Sequence, residues 1–446
     1  MANKSIGGLT GQIRDKLIQQ ALARKLQQVD RPVSESKQHR HSASIPAQFY
    51  RFDLQPGYQQ LRIMHDGAAR MGLDNPFFQL HEGIAGATTR ISGKTLLNYA
   101  SYNYLGLSGH TEVTAAAKQA IDDYGTSVSA SRPVSGERPV HHDLERAIAD
   151  TYEVDDAMVF VSGHATNVTT IGYLLGPGDL VLHDEYIHNS ALQGMLLSGA
   201  KRLPFAHNDW QALDALLADQ RRHFERVLIV IEGLYSMDGD YPDLPRFVDI
   251  KQRYQAWLMV DEAHSFGVMG EKGLGIREHF GVRGRNVDIW MGTLSKALAG
   301  CGGYIAGETA LVEHLKFLAP GFLYSVGMSP PLAAASRAAL RCLLREPERI
   351  HALQARGRQF LQSAQAAGIN TGLSSGLAVI PVITGSSIKA VRLSAALFRL
   401  GINVQPIVYP AVPEQSARLR FFISCEHTAA QIERTIDALV QELPAL

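Results

Sequence analysis

The chain has 446 residues, more than a single hydrophobic core usually serves, so two lobes and room for a sizeable buried site are expected. Lysine plus arginine and aspartate plus glutamate number 43 each, which removes the charge bias that draws a protein to nucleic acid or to an anionic membrane. The three cysteines are scattered without a Cys-x-x-Cys pair, no apolar run approaches about 20 residues, and the start lacks the apolar stretch of a secretion signal, so a cytoplasmic protein with no structural zinc and no membrane span is expected.

Between Gly11 and Gln28, Ile13, Leu17, Ile18, Ala21, Leu22 and Leu26 fall on one helical face, while Arg14, Lys16, Arg24 and Lys25 lie elsewhere. The polar stretch from Arg31 to Ser42 reads as a linker, so residues 1–45 are expected to be an amphipathic helix and its tether. That helix either packs on the body of the protein or on a partner subunit, or serves as a docking element. Residues 46–105 form an N-terminal segment. From Ala157 onward, short apolar strands alternate with helical stretches: 157–161, 180–183, 227–231, 257–260, 287–291 and 304–306. This alternation predicts an α/β fold with a mostly parallel central sheet, in a large domain over 106–325. Helical runs over 330–345 and 351–367, followed by strands over 379–383, 402–405 and 419–424, predict a smaller C-terminal α+β domain over 326–446.

Two motifs carry the chemistry. Lys296 sits in Met291-Gly292-Thr293-Leu294-Ser295-Lys296-Ala297-Leu298-Ala299-Gly300, after an apolar run and before Cys301-Gly302-Gly303-Tyr304. Small residues there permit close backbone approach, and such a lysine can hold a cofactor aldehyde as a Schiff base. Upstream, the apolar run from Trp257 to Val260 ends in Asp261, with His264 three positions later. One Asp with one His is a weak metal site, so no metal is expected. Beside Lys296, a carboxylate at a strand's carboxyl end suits the protonated ring nitrogen of pyridoxal 5'-phosphate, whose ring then acts as an electron sink. A third stretch, Val161-Ser162-Gly163-His164-Ala165-Thr166-Asn167, follows a strand and should open a helix whose N–H groups receive a phosphate. Glu232 follows another apolar run, and burial there requires a partner. Alternation in Ala417-Arg418-Leu419-Arg420-Phe421 sends both arginines to one side of a strand.

Together with Ser236-Met237-Asp238-Gly239 and Asn103-Tyr104-Leu105-Gly106-Leu107, these motifs resemble the α-oxoamine synthases, pyridoxal phosphate enzymes of fold type I with an aspartate aminotransferase-like architecture. The resemblance runs from about Asn98 to the C-terminus. It implies that the Gly163 and His164 amides and Thr293 hold the phosphate, and that His188 stacks on the ring. It also implies that Ser236 meets the phenolic oxygen or the substrate, that His264 meets the same oxygen, that Glu232 orders the site with Asn103, and that Arg420 grips an amino-acid carboxylate. Ser325 is implied to reach the neighbouring subunit's phosphate, which makes the enzyme a homodimer with shared active sites. The implied reaction is a decarboxylative Claisen condensation of glycine, alanine or serine with an acyl thioester, giving an α-amino ketone. Lys296 and His188 are the implied catalytic groups, with Asp261. The stretches 135–141 and 319–325 are most similar to synthases attached to polyketide assembly lines, so the donor is either acyl-CoA or an acyl carrier protein, for which the N-terminal helix is a candidate contact. An ordinary aminotransferase or decarboxylase, and a non-catalytic partner subunit, are the competing classes.

Overall fold

The computed structural model describes residues 45–70, 72 and 75–445; the expected helix between Gly11 and Gln28 and its linker lie outside the described residues. The chain divides into a unit of residues 1–67 and a unit of residues 68–446. In the first, two short turns, Ala47–Phe49 and Phe52–Leu54, precede the start of a helix, Pro56–Arg70, whose last residues fall in the second; it begins on a proline where the missing N–H costs nothing.

Among the described residues, the second unit carries fourteen strands: β1 (His81–Glu82), β2 (Thr88–Ile91), β3 (Lys94–Asn98), β4 (Asp156–Phe160), β5 (Leu180–Asp184), β6 (Lys201–Phe205), β7 (Val227–Glu232), β8 (Trp257–Asp261), β9 (Ile289–Thr293), β10 (Gly303–Gly307), β11 (Val379–Ile383), β12 (Ile402–Asn403), β13 (Pro406–Ile407) and β14 (Arg418–Phe422). The central sheet has the order β4-β10-β9-β8-β7-β5-β6. Its neighbours from β9 to β6 pair in parallel, and β10 runs antiparallel between β4 and β9. Strands β5 and β7 are buried along their whole length, which explains the apolar runs 180–182 and 227–231 that precede their polar ends. Alternate residues serve opposite faces: Ile229, Ile231, Leu258 and Val260 join one hydrophobic cluster, while Leu228, Val230 and Met259 join the other. Each such side chain contributes about 1.5–3 kcal/mol of burial, so the sheet is a rigid platform. The parallel strands end at Asp184, Glu232, Asp261 and Thr293, along the edge where α/β sheets bind ligands.

The mostly parallel sheet agrees with the sequence, and the helix Pro330–Arg345 has the expected limits. The next helix starts at Pro347 rather than at His351, because proline is a natural first helical residue. Two features were not expected. Strand β6 reads poorly as a strand because it lies on the sheet's edge, where exposed Lys201 and Arg202 and the proline at 204 are tolerated. Strands β2 and β3 form a hairpin in which Ile91 pairs with Lys94, and Ser92 and Gly93 both adopt positive φ in the two-residue turn. Strand β12 then adds in parallel to β3, so the N-terminal hairpin and the C-terminal region share one sheet. The order β11-β14-β13 makes the third sheet. Among the described residues, no helix is long and apolar enough to cross a membrane.

Candidate active site

A cavity of about 400 Å³ opens at the carboxyl ends of β7, β8 and β9. Lys296 reaches it from the turn after β9, and its Nζ lies 2.7 Å from Nε2 of His264 and 5.4 Å from the centre of the Tyr102 ring. His264 Nδ1 is 2.7 Å from the Tyr104 hydroxyl, so phenol, imidazole and amine form one hydrogen-bonded row. Burial lowers Lys296 to about 8, with Arg420 acting in the same direction and Asp261 and Glu232 opposing it. Burial, with Lys296, Arg420 and His188 nearby, holds His264 well below the ordinary histidine range. Burial also keeps the Tyr104 phenol protonated.

Asp261 ends β8 in a buried position. Its Oδ2 accepts from Asn167 Nδ2 at 2.9 Å and its Oδ1 from the Ala263 N–H at 3.0 Å. Glu232 is its register partner on β7. Burial, reinforced by Asp261, pushes the Glu232 carboxyl well above the usual carboxylate range; Oε2 accepts the Ser236 N–H at 3.3 Å and Oε1 is buried without a partner among the described residues. Burial therefore favours the neutral form of the Glu232 carboxyl.

At the helix Gly163–Leu174, the Ser162 side chain takes the Ala165 N–H and its carbonyl takes the Thr166 N–H. That cap leaves the Gly163 and His164 N–H groups for an anion. Gly303 makes the cradle close: a Cβ on it would stand 2.7 Å from the Gly163 Cα. The Thr293 hydroxyl donates to the Gly302 carbonyl at 3.0 Å and accepts from the Ser295 N–H at 3.2 Å, so its proton is already committed.

The arginines of β14 both meet the turn after β7, as their alternation predicts. Arg418 is occupied, by Asp238 at 2.7 Å and by the Met237 and Ser416 carbonyls. Arg420 donates through Nη1 to the Ser236 carbonyl at 2.9 Å and lies over the Phe422 ring, while its Nε is buried without a partner among the described residues. Behind this turn, His207 bridges Asp184 through Nδ1 and Asp240 through Nε2, each at 2.8 Å. Those two carboxylates outweigh burial and raise the imidazole to about 10.

All the residues singled out from the sequence except Asn103 and Ser325 line this cavity. Asn103 donates to the Ala85 carbonyl at 2.7 Å and accepts from the Ser108 N–H; it lines a second cavity of about 360 Å³, and no hydrogen bond joins it to Glu232 among the described residues. The two cavities share Tyr102, Ser295 and Lys296. Ser325 lies outside both, in the loop before the helix Pro330–Arg345. Sequence reasoning gave no role to Tyr104, Asn167, Ser190 or Ser295, which the structure places in or beside the cavity. The only signal was spacing: Asn167 stands four residues after Gly163 on one helical face, and Ser190 two after His188.

The residues present fit pyridoxal phosphate, having an amine, a buried carboxylate and a glycine-lined anion cradle around one chamber. The profile of the aminotransferase class I and II family matches residues 94–439. The 8-amino-7-oxononanoate synthase of Cellvibrio japonicus is 40% identical over 349 residues, covering 78% of this chain and 87% of the relative. That of Treponema denticola is 37% identical over 355 residues, covering 80% and 89%. A solved serine palmitoyltransferase from S. paucimobilis, with pyridoxal phosphate and myriocin bound, superposes with a TM-score of 0.83 at 27% identity, over 88% of this chain and all of that one. An 8-amino-7-oxononanoate synthase from Francisella tularensis gives a TM-score of 0.68 at 25% identity, over 78% and 98%.

Proposed function

As a member of the class I and II aminotransferases, and among them of the α-oxoamine synthases, this chain is a pyridoxal phosphate-dependent acyltransferase that joins an amino acid to an acyl thioester; we propose that the amino acid is glycine, alanine or serine and that an α-amino ketone forms with loss of carbon dioxide. One observation carries this reading: Lys296, Asp261 and Arg420 converge on a single cavity in which the Arg420 Nε is buried and unpartnered among the described residues. An unsatisfied guanidinium donor beside an amine suits a substrate that brings its own carboxylate. The cavity must hold cofactor and amino acid together in about 400 Å³, which favours a small side chain.

Pyridoxal phosphate, when bound, supplies an aldehyde for amino groups and a ring that withdraws electrons from the amino-acid α-carbon. Gly163 and His164 would hold the phosphate through their N–H groups, with Thr293 or Ser295 closing the cradle. Asp261, fixed by Asn167, would face the ring nitrogen and favour its protonation. Lys296 would anchor the cofactor through its amine and serve to move a proton at the α-carbon. His264, 2.7 Å from the Lys296 amine through Nε2 and 2.7 Å from the Tyr104 hydroxyl through Nδ1, holds the amine in place. Ser236 and His264 would meet the cofactor's phenolic oxygen. Arg420 grips the carboxylate, which leaves as carbon dioxide, and His188 would stack on the ring and donate to the acyl oxygen. Glu232, whose carboxyl pKa is pushed up by burial, sits beside Asp261.

The acyl donor enters by the second cavity, whose Asn98, Ser101, Asn103 and Ser108 give hydrogen-bonding walls up to Lys296. Acyl-CoA and acyl carrier protein are the two proposed donors. The proposed assembly is a cytoplasmic homodimer in which Ser325 serves the neighbouring subunit's phosphate. The test is to supply a panel of amino acids with isotopically labelled acyl-CoA or acyl carrier protein and identify the product by mass. Labelled acyl carbon in an amino ketone, with release of carbon dioxide, is the expected result. Exchange of the amino group with no new carbon–carbon bond would overturn it in favour of an aminotransferase.

A further inference from the structure

We propose that Asn167 and Ser190 are positioning residues that hold His188 as a neutral imidazole with its proton on Nε2. The argument starts at Asp261. A carboxylate only accepts, so the buried Asn167 amide must turn its nitrogen toward Oδ2, at 2.9 Å, and the amide orientation is thereby fixed. The same nitrogen donates its second hydrogen to Ser190 Oγ, also at 2.9 Å. With that lone pair taken, the Ser190 hydroxyl is free to donate to His188 Nδ1, 2.7 Å away. His188 also caps the helix Asn189–Ser198, where Nδ1 accepts the Ser190 N–H at 3.2 Å. A ring nitrogen that receives two donors carries no proton, so the proton of the neutral ring sits on Nε2, the nitrogen the relay leaves free.

The relay has a cost that packing alone does not explain. Asn167 is fully buried between two helices, and its Oδ1 has no partner among the described residues. An apolar side chain would satisfy that position better if it served only the helix contact. The groups facing His188 are consistent with a neutral ring. Burial lowers its pKa; Asp261 raises it, while Lys296, His164 and Arg420 lower it.

The relay gives His188 a fixed donor for an oxygen in the cavity, a consequence that rests on the reading of His188 as the group that meets the acyl oxygen. The test is nitrogen NMR on protein labelled with ¹⁵N-histidine, without and with cofactor, the His188 signals being identified by their loss in His188→Gln. The wild type is expected to show the Nε2–H tautomer throughout neutral pH. Ser190→Ala, which removes one hydroxyl from the first turn of a helix, and Asn167→Ala should each mix the tautomers. Each should also raise the His188 midpoint by roughly one pH unit, the size of one lost hydrogen bond. The double variant should go no further than either single one, because the links act in series. If Asn167→Ala does not fold, Ser190→Ala decides alone. An unchanged tautomer in Ser190→Ala overturns the relay, whatever the activity. A shifted tautomer with undiminished acyl transfer keeps the relay and removes His188 from the reaction.

Discussion

Asp261 and Glu262 are consecutive in the chain and serve opposite sides of the structure. Asp261 faces the cavity, whereas Glu262 turns into the core, where it accepts from the Ser265 hydroxyl at 3.0 Å and the Ile276 N–H at 3.1 Å. Two buried carboxyls on either side of a single peptide bond thus point to different environments.

Burial raises Glu262 to about 8. A folded pKa above the unfolded value of about 4.3 stabilises the fold fully below that lower value, and the stabilisation is lost as pH rises toward 8. Glu262→Gln keeps the neutral shape and removes this titration. Its thermal midpoint should equal the wild type's near pH 4 and exceed it at pH 9, as measured by calorimetry across that range. Equal pH dependence in the two proteins would contradict a buried neutral acid at this position.

Lys296→Ala should fold and still bind pyridoxal phosphate through the anion cradle, but lose the absorbance of the attached cofactor and at least ~10³-fold in turnover. Spectroscopy and a rate assay on the purified variant check both parts. Turnover within tenfold of wild type would remove Lys296 from the chemistry.

The lowered Lys296 pKa sets the pH of cofactor capture, since only the neutral amine attacks an aldehyde. The rate at which apoprotein takes up pyridoxal phosphate should rise with pH and level off above about 8, the value to which burial brings this lysine. Stopped-flow absorbance across pH 6–10 measures it, and a midpoint near 10 would mean that the amine is solvated.

Arg420→Lys should leave the fold intact and raise the KM for the amino acid ~10–100-fold, the loss expected when a fork that grips a carboxylate becomes a point charge. Arg418 is bound to Asp238, so Arg418→Lys should act on thermal stability more than on KM. The reverse pattern in steady-state kinetics would exchange the roles of the two arginines.

His207 links the strand end before His188 to the turn carrying Ser236. With a folded pKa of about 10 against about 6.5 unfolded, its contribution is complete below pH 6.5 and lost as pH rises through 10. His207→Ala leaves two carboxylates facing each other and should cost ~3–5 kcal/mol at pH 7 in a denaturant titration. A cost below 1 kcal/mol would mean that the bridge is not charged.

Much of the sheet was legible because strands covered on both faces carry apolar runs, as residues 180–182 of β5 and 227–231 of β7 do before their polar ends. Strand β6 was hidden because an edge strand needs no such run, and the β2–β3 hairpin because its turn carries a serine at positive φ rather than the usual asparagine or aspartate. At the site, residues bearing unusual chemistry announced themselves: a lysine among small residues, an acid at a strand end. Asn167 and Ser190 did not, because amides and hydroxyls are common in helices and only the fold aligns them with Asp261 and His188. Tyr104 was quoted in a motif, yet its role depends on meeting a histidine 160 positions away.

Two chambers meeting at Lys296 also bear on how such a catalyst diversifies. The walls contributed by Asn98, Ser101 and Ser108 belong to one chamber alone, and those from Asp261, Glu232 and Arg420 to the other. Substitutions at those first walls spare every residue that lines the second chamber alone. Under the proposed function, a lineage exchanges one cargo for another there while its reactive machinery stays constant, and a library confined to Asn98, Ser101 and Ser108 is the economical way to redirect the enzyme.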